Sequence, residues 1–85
     1  MGSPFGPLWL IEWLDSQSAY PGWALLDDIE SRPPIRIRTA GWIVRESDEA
    51  IMVAQSVGGG GDDAQAHSTL SIPKVAIVNR KRLAT

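Results

Sequence analysis

The segment Thr69–Leu83, "TLSIPKVAIVNRKRL", decides the fold. It is rich in Ile, Val and Leu, ends on the cations Arg80, Lys81 and Arg82, and is interrupted by Pro73. Leu70 and Ile72 alternate with Ser71, the period-two pattern of a half-buried strand. Proline has no amide hydrogen and cannot sit inside a ladder, so this strand ends at Ile72. "PKVA" then makes one tight turn, with Pro73 at a first-turn position where its missing N–H is tolerated. A final strand opens at Ile77 and runs to Leu83. One apolar run thus becomes two strands around a corner.

The same period runs upstream. In "IRIRTAGWIVRE", Ile35, Ile37 and Thr39 alternate with Arg36, Arg38 and Ala40. Gly41 interrupts the alternation and permits a bulge or sharp bend. "ESDE" is a polar hairpin turn whose Ser47 and Asp48 suit bonds to nearby amides. "AIMVAQSV" is the returning strand. The run Gly58–Gly61 followed by Asp62 and Asp63 predicts a mobile loop over residues 58–66. Near the N-terminus, Trp9, Ile11 and Trp13 oppose Leu8, Leu10, Glu12 and Leu14 in "LWLIEWLDS"; helical spacing also fits, since Trp9 and Trp13, and Leu10 and Leu14, are four apart, but the aromatic content and Pro7 favour a strand, behind a flexible stretch 1–6. "SQSAYPG" is a loop. In "GWALLDDIESR", Trp23, Leu26 and Ile29 recur every three residues, which predicts a short amphipathic α-helix stopped by Pro33-Pro34. Its Glu30 opposes the helix dipole, so this helix needs tertiary packing to persist. The expectation is a mainly β fold: a small, strongly bent five-stranded barrel with one short helix. Closure would remove edges that so short a chain has little material to cover.

Composition narrows the function classes. Eighty-five residues make a single domain with a thin core, to which four tryptophans contribute. There is no cysteine, hence neither a disulfide nor a thiolate metal site, in keeping with a reducing cytoplasm. No apolar run approaches the roughly 20 residues of a membrane-spanning helix. The net charge of −2 argues against a dedicated nucleic-acid binder, but the charge is unevenly spread. Residues 1–31 hold five acids and no base, whereas residues 32–85 hold eight bases and five acids. This asymmetry points to ordinary solvated faces, to head-to-tail self-association, or to an anionic ligand on the basic side.

No catalytic signature accompanies this framework. The glycine run lacks the following Gly-Lys-Ser/Thr of a P-loop, and its two aspartates would repel phosphate. His67, the single histidine, has no spacing to a serine and an acid that would make a triad. The chain therefore reads as a non-enzyme that requires no metal or cofactor.

The strand pair "GWIVRESDEAIMVA" resembles the first motif of Sm-like proteins, with Gly41 at the bend and Asp48 near the turn. "LSIPKVAIVNRKRL" resembles the second motif: a strand, a short helical turn and a final strand. The Sm resemblance covers residues 36–83. With "EWLDS", "GWALLDD" and "IPKVAI", nearly the whole chain also resembles small proteins of tailed bacteriophages, some of which are described as Sm-like. The resemblance implies a homo-oligomeric ring joined by strand pairing at subunit edges, in the host bacterial cytoplasm. It implies RNA or a nucleotide as ligand. The motifs depart from those of uridine-binding members: "IMVAQ" lacks their Asn, and Pro73-Lys74 stands where they carry Arg-Gly. Lys74 supplies the charge without the planar fork of arginine.

The candidate anion or nucleic-acid residues are Lys74, Arg36, Arg38, Arg80 and Arg82; the two arginine pairs form one patch if the final strand neighbours the bent one. Their alternative role is to solubilise and block strand edges. Of Trp9, Trp13 and Trp23, one is expected between subunits, because aromatic residues are enriched at interfaces. Two other function classes remain beside the ring: an inhibitor acting on a host protein, and a structural or assembly protein.

Overall fold

In a computed structural model of the chain, the described residues are 5–17 and 22–84. Five strands form: β1 (Leu8–Asp15), β2 (Ile35–Glu46), β3 (Ala50–Gly58), β4 (Gln65–Pro73) and β5 (Ile77–Ala84). They make one antiparallel sheet in the order β4-β3-β2-β1-β5. The corner at Pro73 forms, one residue later than expected: β4 runs through Pro73, which lies opposite Ala50 at the strand end, a 3₁₀ turn occupies Lys74–Ala76, and β5 follows directly.

The sheet curls around one core. Ile11 and Trp13 of β1 meet Ile51 and Val53 of β3 and Ile72 of β4, with Trp9, Ile37, Ile43 and Ile77 packed against them. Strands β1 and β4 are separated by two others in the sheet, so a flat sheet could not bring these side chains together. Each fully buried aliphatic side chain contributes about 1.5–3 kcal/mol, so this small cluster carries much of the stability. The Trp13 indole donates from Nε1 to Thr39 Oγ1 at 3.0 Å, which satisfies the one polar atom this side chain takes inside.

Two expectations are corrected. The sheet does not close into a barrel: β4 and β5 remain its edge strands. The turn after Pro73 carries β5 to the free side of β1, and no ladder joins β5 to β4. The α-helix expected within 22–32 is also absent. A single 3₁₀ turn spans Leu26–Asp28, and residues 22–36 are exposed throughout. The amphipathic pattern is present, but no residue of this segment joins the core among the described residues, and a helix this short does not persist on propensity alone.

Strand β2 changes partner at Gly41–Trp42. Its first part, Ile35 to Trp42, pairs with β1, and Trp42 to Glu46 pairs with β3. Gly41 is buried at this handover, where an added Cβ would lie 2.5 Å from the Ala54 carbonyl oxygen and 2.6 Å from Val53 Cγ1. A register shift between Ile43 and Arg45 leaves Val44 as the extra residue of a bulge. The following turn is tied by Ser47, whose Oγ accepts from the Glu49 and Ala50 amides at 3.2 Å each.

The glycine-rich connection is shorter than expected. Gly58 still belongs to β3, and Gln65 and Ala66 already pair within β4. Between them a 3₁₀ turn at Gly61–Asp63 is fastened by the Gly60 amide donating to Asp63 Oδ1 at 3.1 Å. The flexible N-terminus and the "SQSAYPG" loop fall partly on residues 1–4 and 18–21, outside the described residues.

On the exposed edge strand β4, Ser68 has φ 57°, in the left-handed region. L-residues lose roughly 1–2 kcal/mol there, and glycine does not. Ser68→Gly is therefore expected to stabilise the protein by about 0.5–1 kcal/mol, read as a higher urea midpoint. An unchanged or lower midpoint would show that this backbone is not strained.

Candidate functional site

The cross-strand register fixes which side chains share a face. Ile11 lies opposite Thr39 on one side and Arg80 on the other. Arg80 and Arg82 therefore face inward with Trp9 and Ile11, while Arg36 and Arg38 alternate to the outer face. The single patch expected from these two pairs does not form. Strand β1 lies between β2 and β5, and the pairs point to opposite sides of it.

On the outer face, Glu12 sits between the first pair, 3.5 Å from Arg36 and 3.9 Å from Arg38. On the inner rim, Glu46 binds both Lys74 at 2.8 Å and Arg80 at 3.3 Å. Arg80 also lies over the Trp9 ring, 5.6 Å from its centroid. Lys74 donates its backbone amide to Glu49 O at 2.8 Å, so the Pro73 corner is pinned to the β2–β3 turn by main chain as well as by charge. This corner joins three parts of the chain distant in sequence, and at its centre Lys74 and Arg80 share the Glu46 carboxylate.

Sequence reading missed Glu46. Strict alternation from Trp42 places it on the outer face. The bulge at Val44 reverses the alternation and sets Glu46 opposite Ile51, on the inner face. The cations hold the Glu46 carboxyl below its usual 4.5, Lys74 first and Arg80 second. A carboxyl so lowered stabilises the fold above its ordinary pKa, and the contribution is lost as pH falls through the lowered folded value. The expected result is that Glu46→Gln flattens the acid limb of the stability–pH curve below about 4.5 relative to the parent protein. Superimposable curves would remove these ion pairs from the account.

The tryptophans divide by position. Trp13 is core, Trp9 and Trp42 are half-buried, and Trp23 is 103% exposed. A groove of about 540 Å³ opens near the β2 bulge, lined by residues including Phe5, Ile43, Met52 and Val57, with Arg45 as its charged member. His67 is exposed on β4, and its Nδ1 lies 2.8 Å from the neighbouring Ser68 Oγ. Among the described residues, no group of three His, Asp or Glu side chains could hold a metal ion, and no helix is long and apolar enough to cross a membrane. No protein-family model matches the chain, and neither a curated protein nor a solved structure matches it.

Proposed function

We propose that this chain is a non-catalytic binding module of Sm-like type that assembles as a homo-oligomeric ring and takes RNA or a nucleotide on its inner cationic corner. The observation that carries the reading is the strand order: β4 and β5, joined by one 3₁₀ turn, stand at opposite edges of a curled sheet with free backbone groups. Pairing β4 of one copy with β5 of the next would satisfy both edges with main-chain hydrogen bonds alone. Lys74, Arg80 and Arg82 lie on the inner side, where a phosphate would compete with Glu46. The resemblance to bacteriophage proteins would put this ring in the cytoplasm of an infected bacterium. A second reading, in which the chain acts through contact with a host protein or as an assembly component, is favoured by the exposed Trp23.

The test is binding of fluorescent single-stranded RNA at two salt concentrations. Each phosphate contact to a single strand adds roughly 0.7 to the slope of log affinity against log salt. Replacing Arg80 and Arg82 with Ala is expected to weaken binding and reduce that slope by about 1.4. Replacing Arg36 and Arg38 with Ala is expected to leave it unchanged. No RNA binding by the parent protein, or equal effects of the two pairs, would favour the second reading.

A further inference from the structure

The connection between β1 and β2 is far longer than the sheet requires. Asp15 and Ile35 are directly paired, so a two-residue turn of the kind that joins hairpins would nearly suffice. Residues 16–34 lie between them instead. Connections beyond about 12–15 residues are uncommon unless they bind something or are disordered. The composition is not that of a disordered linker. Trp23, Leu25, Leu26 and Ile29 stand among Asp27, Asp28 and Glu30, and a 3₁₀ turn orders Leu26–Asp28. The neck is tied as well: Gln17 donates from Nε2 to Pro33 O at 2.7 Å. Yet among the described residues these apolar side chains stay largely uncovered and lie outside the core cluster. Trp23 is 103%, Leu25 74%, Leu26 86% and Ile29 45% exposed. The molecule measures 58 × 23 × 20 Å, and its radius of gyration is 17.1 Å, against about 12 Å for a compact domain of this length. Chain that adds nothing to the core lies well outside it.

The surface with matching chemistry is β5 and the turn before it. Val75 is 98%, Val78 49% and Leu83 45% exposed. Lys81 and Arg82 are exposed and make no ion pair among the described residues, and the same holds for Asp27 and Asp28 of the arm. Apolar and charged groups of the arm thus find apolar and oppositely charged groups on β5.

We infer that residues 22–32 form an exchange arm that packs against β5 of a second copy of this chain, with Trp23, Leu25, Leu26 and Ile29 on Val75, Val78 and Leu83, and with Asp27 and Asp28 facing Lys81, which shares the outer face with Leu10. The inference rests on the homo-oligomer reading above. It adds a side-chain contact to the backbone pairing of the strand edges, which leaves the β5 main chain free for a neighbouring β4. The four arm side chains expose roughly 500 Å² of apolar surface, at the upper part of the range for the largest patch on a monomer. Covered by an equal area of partner, one arm buries about 1,000 Å², the lower limit of a specific contact, and a reciprocal pair doubles it.

The chain has no cysteine, so introduced thiols report without interference. One chain carries Leu26→Cys and a separate chain carries Val78→Cys; the two are purified apart, mixed and oxidised. The expected product is a disulfide between copies, formed well above the level seen when Leu26→Cys is mixed with Gln55→Cys, an exposed position on β3. In parallel, Trp23→Ser with Leu26→Ser is expected to raise the self-association Kd at least tenfold by sedimentation, with an unchanged far-UV spectrum because these side chains are exposed. Lys81→Glu is expected to do the same, and Asp27→Lys with Asp28→Lys in that background to restore association. If the parent protein assembles but neither the serine variant nor the thiol pair departs from its control, the arm serves another partner and this inference falls, while the ring reading stands. A monomeric parent protein overturns both.

Discussion

Gly41→Ala is expected to destabilise the protein by about 2–3 kcal/mol, a large part of the net stability of a domain this size. The added methyl carbon would sit 2.5 Å from the Ala54 carbonyl oxygen, where ordinary contact needs about an ångström more. Val53 Cγ1, at 2.6 Å, can turn aside, but the Ala54 oxygen belongs to a central strand. Relief therefore requires β2 and β3 to separate where β2 changes partner. Against this stands the gain of about 0.4–1 kcal/mol from a less flexible unfolded chain, which is smaller than the clash. Gly60→Ala provides the control. A Cβ there meets nothing within 4 Å, and φ of −166° is ordinary extended backbone. That variant is expected to be neutral or slightly stabilised. Urea melts of the two compare them directly, and equal midpoints would mean that Gly41 is not the close-approach point of the fold.

Trp13→Ala is expected to cost about 3–5 kcal/mol and to abolish a cooperative melt near room temperature. Few side chains are fully buried: Ile11, Ile51, Val53 and Ile72 are the large ones, and Trp13 lies among them at 8% exposure. Truncation opens a cavity in a core with little other material to collapse into it. It also leaves Thr39 Oγ1 without the indole donor at 3.0 Å. Trp13→Phe is the milder change. It keeps one aromatic ring in the core but gives up the hydrogen bond and part of the indole volume, so a loss of about 1–3 kcal/mol is expected. Trp23→Ala, at a fully exposed position, should leave the monomer's stability within about 0.5 kcal/mol of the parent. Equal losses at Trp13 and Trp23 would contradict this assignment of core and surface.

The contrast between these tryptophans shows what local pattern carries. Period two marked β1, β2 and β4, because a half-buried sheet writes its faces into alternation, while β3 was marked by the turn before it and β5 by the corner before it. The missing amide of Pro73 marked the corner between β4 and β5. The segment 23–31 was illegible for a different reason. A three-residue apolar repeat says that one side is apolar, and does not say whether the chain has anything to set against it. Among the described residues the core lies elsewhere, so the turn stays short and the arm exposed. Strand order is likewise non-local: Arg36 and Arg38 proved to be separated from Arg80 and Arg82 because β1 intervenes, and no spacing encodes that. The bulge at Val44 defeats alternation within a single strand and turns Glu46 to the inner side. The candidate site was thus visible as a set of cations, while their division between two faces and their shared carboxylates were not.

The two free edges, the exposed arm and the uneven charge all point to self-association, so the most direct test of the account is native mass spectrometry of the purified protein at micromolar concentration. A single closed homo-oligomer, which loses subunits when β4 or β5 is blocked by an edge proline, is the predicted result. A monomer across that range, with no higher species, would contradict it.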